Sequence, residues 1–160
     1  MDGPHHLGEP VKIASAQPKD AADWAQMRNA LWPGGGDKGM HADDINQLLA
    51  DAGDTVNLIA RDETGHAVGF AEASLRRDYV NGCKTTSVAF LEGIYVAPEA
   101  RGHGVARALV AAVEDWARAS GVSELGSDAA PDNMASLKMH HALGFDETER
   151  VVFFRKLLGA

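Results

Sequence analysis

The sequence predicts a single α+β domain whose sheet is mixed, mostly antiparallel, and flanked by helices. Three observations predict it. The apolar patterns run in the order β-α-α, then three strands joined by two hairpin signals, then α-β-α-β. The hairpin signals are Thr64-Gly65 and Asn81-Gly82 between strand-like runs. A strand, a glycine turn and a helix start follow one another between Leu91 and Leu109.

The elements are justified in chain order. Residues 1–10 carry Gly3, Pro4, His5, His6, Gly8 and Pro10 and read as a flexible lead-in, so the domain proper is residues 11–160. Val11 to Ala16 is a short strand. Pro18 and Asp20 open a helix to Leu31, with Trp24, Met27 and Leu31 on its buried face. Trp32-Pro33-Gly34-Gly35-Gly36 ends it, and Trp32 reads equally as a core aromatic or a ligand-stacking one. His41 to Ala52 is a second helix, with Asp43 and Asp44 complementing its dipole and Ile45, Leu48 and Leu49 as its apolar stripe. Thr55–Arg61, Ala67–Leu75 and Ser87–Val96 are consecutive antiparallel strands. Val105 to Ser120 is a long helix with Val105, Leu109, Val113 and Trp116 on one face. Ser123–Asp128 is a strand, and a helix opened by Pro131 and Asp132 runs to Gly144. Val151 to Lys156 reads as a final strand, with Val152 and Phe154 on one side. The late β-α-β connection should be parallel and right-handed.

Bulk properties narrow the function classes. In 160 residues, 45% are hydrophobic and 24% charged, ordinary values for a globular domain. The net charge of -8 argues against general nucleic-acid binding and suits a cationic small molecule or simply a soluble acidic surface. The lone Cys83 excludes an internal disulfide and points to a reducing compartment. No run spans a membrane and the start lacks a signal-peptide core, so a cytoplasmic protein is expected, without a metal.

The Leu91–Leu109 stretch is a ready anion site. Gly102 and Gly104 let a ligand approach the backbone, and the first turn of the helix offers unpaired N–H groups and the positive end of its dipole. At Arg101-Gly102-His103-Gly104-Val105-Ala106 the chain resembles the acyl-CoA motif of the GNAT acetyltransferases, Gln/Arg-x-x-Gly-x-Gly/Ala. The resemblance implies the GNAT fold and acetyl-CoA as co-substrate. Its pyrophosphate would lie on the backbone from Gly102 to Arg107, and its pantetheine arm along Ile94, Tyr95 and Val96. Asn133 would bind the pantetheine arm, and His140 stands where many GNAT enzymes carry the tyrosine that protonates the leaving thiolate. His140 could donate that proton or simply line the channel.

Further motifs extend the resemblance. Leu31–Gly34, Asp78–Cys83, Phe90–Ile94, Ser127-Asp128 and Gly144–Val151 are similar to the aminoglycoside 6'-N-acetyltransferases of enteric and Acinetobacter chromosomes. Carried over, the antibiotic would meet Trp32, Tyr79, Glu92, Asp128 and Glu149, with Tyr79 coming from the partner subunit of a homodimer. Gly35 stands where related enzymes carry a substrate-contacting histidine, and His41 is a poor replacement. Without the resemblance Glu149 reads equally as part of a solvated charged segment.

The implied chemistry is direct attack of a deprotonated amine on the thioester. Asp128 is the expected proton acceptor, with Glu92 acting through water as the second candidate. The Val96 N–H is the expected oxyanion donor. No enzyme nucleophile is needed, which leaves Cys83 a packing thiol. A GNAT enzyme for another cationic amine (a polyamine, an amino sugar or a peptide N-terminus) fits the same residues. A non-catalytic acyl-CoA-binding module fits less well, because Glu92 and Asp128 accompany the loop.

Overall fold

The computed structural model describes residues 11–33 and 38–159. The expected lead-in and Gly35 lie outside them. Five strands form one sheet in the order β1-β2-β3-β4-β5. They are β1 (Lys12–Ser15), β2 (Thr55–Arg61), β3 (Ala67–Arg76), β4 (Val88–Val96) and β5 (Leu125–Gly126). The first three pairings are antiparallel, and β4 pairs β5 in parallel. Among the described residues four helices accompany them: α1 (Ala21–Leu31), α2 (Lys38–Ala50), α3 (Val105–Ala119) and α4 (Met134–Ala142). A short 3₁₀ turn, Pro18–Asp20, leads into α1.

Strand alternation sorts the core into two layers. Leu58, Ala60, Ala71, Ala73 and Leu91 pack on one face with Val105, Leu109, Val110 and Val113 of α3. Ile59 and Phe70 point the other way, onto Trp24, Met27 and Ile45 of α1 and α2. The helix faces read from spacing are therefore the buried ones.

Two features of β4 create the site. Its pairing with β3 slips at Glu72/Ala73: Gly93 sits opposite Glu72 and Leu91 opposite Ala73, which leaves Glu92 as the extra residue of a β-bulge. Its pairing with β5 covers only Ala89↔Leu125 and Phe90↔Gly126. Among the described residues, no strand lies beside that edge of β4 from Glu92 to Val96.

The final strand expected at Val151–Lys156 is not formed. Residues 145–159 carry no helix or strand, and Phe153 and Phe154 are 87% and 92% exposed. The local composition favours a strand, but a strand exists only where a neighbour offers its backbone, and the chain's own sheet ends at β5.

Candidate active site

A cleft of about 570 Å³ opens between α2 and the β3–β4 bulge. Four carboxylates line it: Asp44, Asp51, Glu72 and Glu92, with Trp32 at one side. Trp32 ends α1 and lies edge-on to Phe70, with ring centroids 6.0 Å apart. Its ring lies directly against β4 at Gly93, where a Cβ would come within 2.4 Å of it. A glycine next to the bulge thus lets the indole lie against the strand that carries Glu92.

Glu92 accepts a hydrogen bond from Ser74 Oγ at 2.5 Å and two from Arg76, Nε at 3.1 Å and Nη2 at 2.8 Å. The Arg76 guanidinium lies 3.6 Å from the centroid of the Phe90 ring. Glu92 is therefore held in a fixed orientation at the cleft.

Glu72 forms the buried floor. It accepts from Trp24 Nε1 at 3.0 Å and from Arg28 Nη2 at 3.3 Å. Arg28 Nε also lies 2.9 Å from Oε2, an ion-pair contact off the hydrogen-bond line. Burial pushes the Glu72 carboxyl above its ordinary range, and the Arg28 charge only partly opposes it. Arg28 reaches Asp44 as well, at 3.3 Å, which ties α1 to α2.

Sequence reasoning missed three of these acids. Glu72 had a signal, a carboxylate inside the apolar run Gly69 to Leu75. Asp44, Gln47 and Asp51 had one too: they recur at helical spacing on the face of α2 that lines the cleft. His41 is buried and does not line it.

Trp32 and Glu92 are brought together in the cleft, whereas Asp128, Tyr79 and Glu149 do not line it. Asp128 is exposed just beyond β5. Tyr79 is 66% exposed, in the loop between β3 and β4. That loop meets the segment carrying Glu149, because a Cβ on Gly82 would fall 2.2 Å from Thr148 Oγ1. Glu149 is exposed beside the Glu147–Arg150 ion pair. Burial, and next the charge of Glu124, push the Cys83 thiol above its ordinary range, so it is a poor nucleophile.

The anion site is built as its glycines require. Gly102 and Gly104 have φ of +81° and +82°, and a Cβ at either would meet open space. Gly104 is the N-cap of α3, and the Ala108 N–H bonds back to the Gly104 carbonyl. The N–H groups of Val105, Ala106 and Arg107 thus have no acceptor within the helix. The Arg107 side chain turns away to the Ala142 carbonyl, at 3.0 Å, and Arg101 and His103 are exposed.

The β4 edge completes this face. Ala97 N–H donates to the Val68 carbonyl, so Ala97 faces β3 and the backbone groups of its neighbour Val96 face the other edge. The Val96 carbonyl accepts there from Arg101 Nε at 2.9 Å. An open strand edge, two left-handed glycines and a bare helix N-terminus together fit a pantetheine arm and its pyrophosphate.

Two residues expected along this channel have hydrogen-bond partners within the chain. Asn133 caps α4, its Oδ1 accepting from Ser136 N–H at 3.1 Å. His140 Nδ1 lies 2.7 Å from the Ser136 carbonyl, which can only accept, so Nδ1 carries the hydrogen of the neutral ring. Nε2 then accepts from the Ser127 hydroxyl at 2.8 Å. Ser127, which the sequence reading quoted only as part of a motif, orients His140 together with the Ser136 carbonyl.

Among the described residues no helix is long and apolar enough to cross a membrane, and no group of three or more His, Cys, Asp or Glu residues could hold a metal ion.

The fold and this face define an acyltransferase architecture, and the chain belongs to the acetyltransferase (GNAT) family, whose profile matches residues 22–145. Within it the chain is similar to the aminoglycoside N(6')-acetyltransferase type 1 of Stenotrophomonas maltophilia, 49% identical over 89% of this chain and 91% of that one. It is 48% identical to the same-named protein of Acinetobacter baumannii, over 93% of this chain and 100% of the relative. Among solved structures, the aminoglycoside antibiotic 6'-N-acetyltransferase AAC(6')-Ih from Acinetobacter baumannii superposes with a TM-score of 0.86 at 45% identity, covering 93% and 99% of the two chains. AAC(6')-Iy in complex with the bisubstrate analog CoA-S-monomethyl-acetylneamine matches with a TM-score of 0.86 at 44% identity, covering 94% and 100%.

Proposed function

We propose that the chain is an acetyl-CoA-dependent aminoglycoside 6'-N-acetyltransferase that inactivates the antibiotic and so confers resistance. The observation that carries the reading is the divergence of β4 from β5 after Phe90↔Gly126, with an acidic cleft at the bulge next to it. The relatives named above support it. Acetyl-CoA supplies the acetyl group as a thioester, and the backbone from Gly102 to Arg107 and the edge Ile94–Val96 would hold it.

The rest of the chemistry belongs to the side chains. The cleft acids attract a polycation, and Glu92, fixed by Ser74 and Arg76, orients an ammonium. Trp32 gives a sugar ring a flat apolar wall. An ammonium has no lone pair, so the 6'-amine must lose a proton before it attacks. Asp128, beyond β5, takes that proton directly or through water, and Glu92 through water is the alternative route. The Val96 N–H, facing the open edge, would stabilise the oxyanion, whose collapse breaks the carbon–sulfur bond and releases CoA as a thiolate, which takes up the proton shed by the attacking nitrogen. Tyr79 and Glu149 act from the exposed side of the site, Tyr79 on the antibiotic bound by the neighbouring copy of a homodimer. The enzyme works in the cytoplasm.

The test is a thiol-release assay with acetyl-CoA and kanamycin or tobramycin. Turnover with product acetylated at the 6'-amine is the expected result. Turnover only with polyamines, amino sugars or peptides replaces the substrate assignment, and acetyl-CoA binding without turnover on any amine removes the enzymatic reading.

A further inference from the structure

Arg28 is the one cation among the described residues that line the cleft, set among Asp44, Asp51, Glu72 and Glu92. A positive charge in a cleft for a polycation opposes the ligand, so its presence calls for a reason. Stability alone does not supply one, because apolar side chains of similar volume often replace a buried ion pair without loss.

The geometry supplies it. Arg28 is 8% exposed and sits one helical turn before Trp32, whose backbone N–H donates to the Arg28 carbonyl at 2.8 Å. Trp32 then leaves the helix, with φ of -121° and ψ of 66°. Three surfaces meet its ring: the β4 backbone at Gly93, the Phe70 ring, and the Arg28 guanidinium, whose Cζ lies 5.2 Å from the ring centroid. The guanidinium is itself held from two elements. Glu72 on β3 meets its Nη2 and Nε, and Asp44 on α2 meets its Nη1 at 3.3 Å. Trp24 Nε1 donates to Glu72 at 3.0 Å and helps to fix that carboxylate. Glu72 stands opposite Gly93 across the β3–β4 pair, so the seat of the guanidinium and the seat of the indole are cross-strand neighbours. A planar group with donors on several edges suits this arrangement better than the compact ammonium of a lysine.

We infer that Arg28 is a positioning residue of the cleft: seated on Glu72 and Asp44, it holds the Trp32 ring against Gly93, beside Glu92, and so shapes the wall that an aminoglycoside ring meets. The two carboxylates meet its charge, which limits its repulsion of the ligand. This role rests on the aminoglycoside reading above for the identity of the ligand alone.

The test pairs Arg28→Met with Glu72→Gln, so that no buried charge is left unpaired and residue 72 still accepts from Trp24 Nε1. KM for kanamycin or tobramycin should rise about tenfold, while kcat and KM for acetyl-CoA stay within about twofold. In a Trp32→Ala background the same pair should change KM less than about twofold, because the ring it acts through is gone. The Trp32 indole N–H resonance, identified by its loss in Trp32→Ala, should be one sharp line in the unaltered chain and should broaden or split in the paired variant. Equal rises in KM in both backgrounds would show Arg28 acting apart from Trp32 and overturn the assignment. So would an unmoved KM, an unchanged resonance, or equal losses toward both substrates, the mark of general damage. Where the paired variant fails to fold, Arg28→Lys keeps a cation beside Glu72 and carries the same readouts. No turnover of any aminoglycoside by the unaltered chain removes the proposed function instead, and the resonance then decides whether Arg28 holds the ring.

Discussion

Glu92 and Asp128 each lie two residues beyond Phe90↔Gly126, the last pair at which β4 and β5 run together. Glu92 is the extra residue of the β4 bulge and Asp128 lies just past the end of β5, where the two strands have stopped pairing. Neither is near the other in sequence. The bulge at Glu92 and the shortness of β5 bring about this placement.

Asp128→Ala should lower kcat/KM by at least tenfold, about 1.4 kcal/mol of transition-state stabilisation. Steady-state kinetics on the purified variant checks it, and a smaller loss removes Asp128 as the base.

Gly93→Ala should drive a methyl into the Trp32 ring, since the Cβ would fall 2.4 Å from Cζ2. The cost is that of overpacking, about 1–3 kcal/mol in thermal unfolding. Adding Trp32→Ala should recover much of that stability yet leave KM for the antibiotic raised. Stability recovered together with a normal KM would show that the indole only fills space.

Gly102→Ala should act on the co-substrate alone. Its φ of +81° costs an alanine about 1 kcal/mol, although nothing would clash with the methyl. KM for acetyl-CoA should rise several-fold, and calorimetric binding of the antibiotic to the free enzyme should be unchanged.

Asp20 and Arg61 make a pH-dependent tie between the start of α1 and β2. Burial of Asp20 works against its charge, but the Arg61 hydrogen bond, the Gln17 N–H and the nearby positive charges outweigh it and hold the carboxyl below its ordinary value. Because the folded pKa lies below the unfolded one, the stabilisation is complete above about pH 3.9 and is lost as pH falls through the folded value. Asp20→Asn should therefore cost about 1.5 kcal/mol at pH 7 and progressively less below pH 4. Denaturant melts at both pH values give the comparison.

Most of the fold was legible because period is local. Trp24 with Met27, and Leu109 with Val113, announce their helix faces, and Asn81-Gly82 announces its turn. The glycine turn of the anion site was legible for the same reason, since strand, turn and helix adjoin in sequence. What escaped depends on partners far along the chain. Glu72 becomes a cleft residue only when Trp24 and Arg28 of α1 fold beneath it. Asp44 and Asp51 read as helix-end charges until α2 is laid beside β4. His140 could be placed on a helix but not oriented, because Ser127 lies across the fold. Val151 to Lys156 reads as a strand from composition alone, and composition cannot supply the neighbouring backbone that a strand needs.

The acids of the cleft sit on separate pieces of the scaffold, Asp44 on α2 and Asp51 just past its end, Glu72 on β3 and Glu92 on β4. On the proposed mechanism, changes on the helix alter the part of the cleft that meets the antibiotic and leave the proposed base and the co-substrate edge in place. An inhibitor that leans on α2 is exposed to that drift. One anchored at the parting of β4 and β5 and on the glycine turn would grip the parts to which the proposed mechanism gives the chemistry.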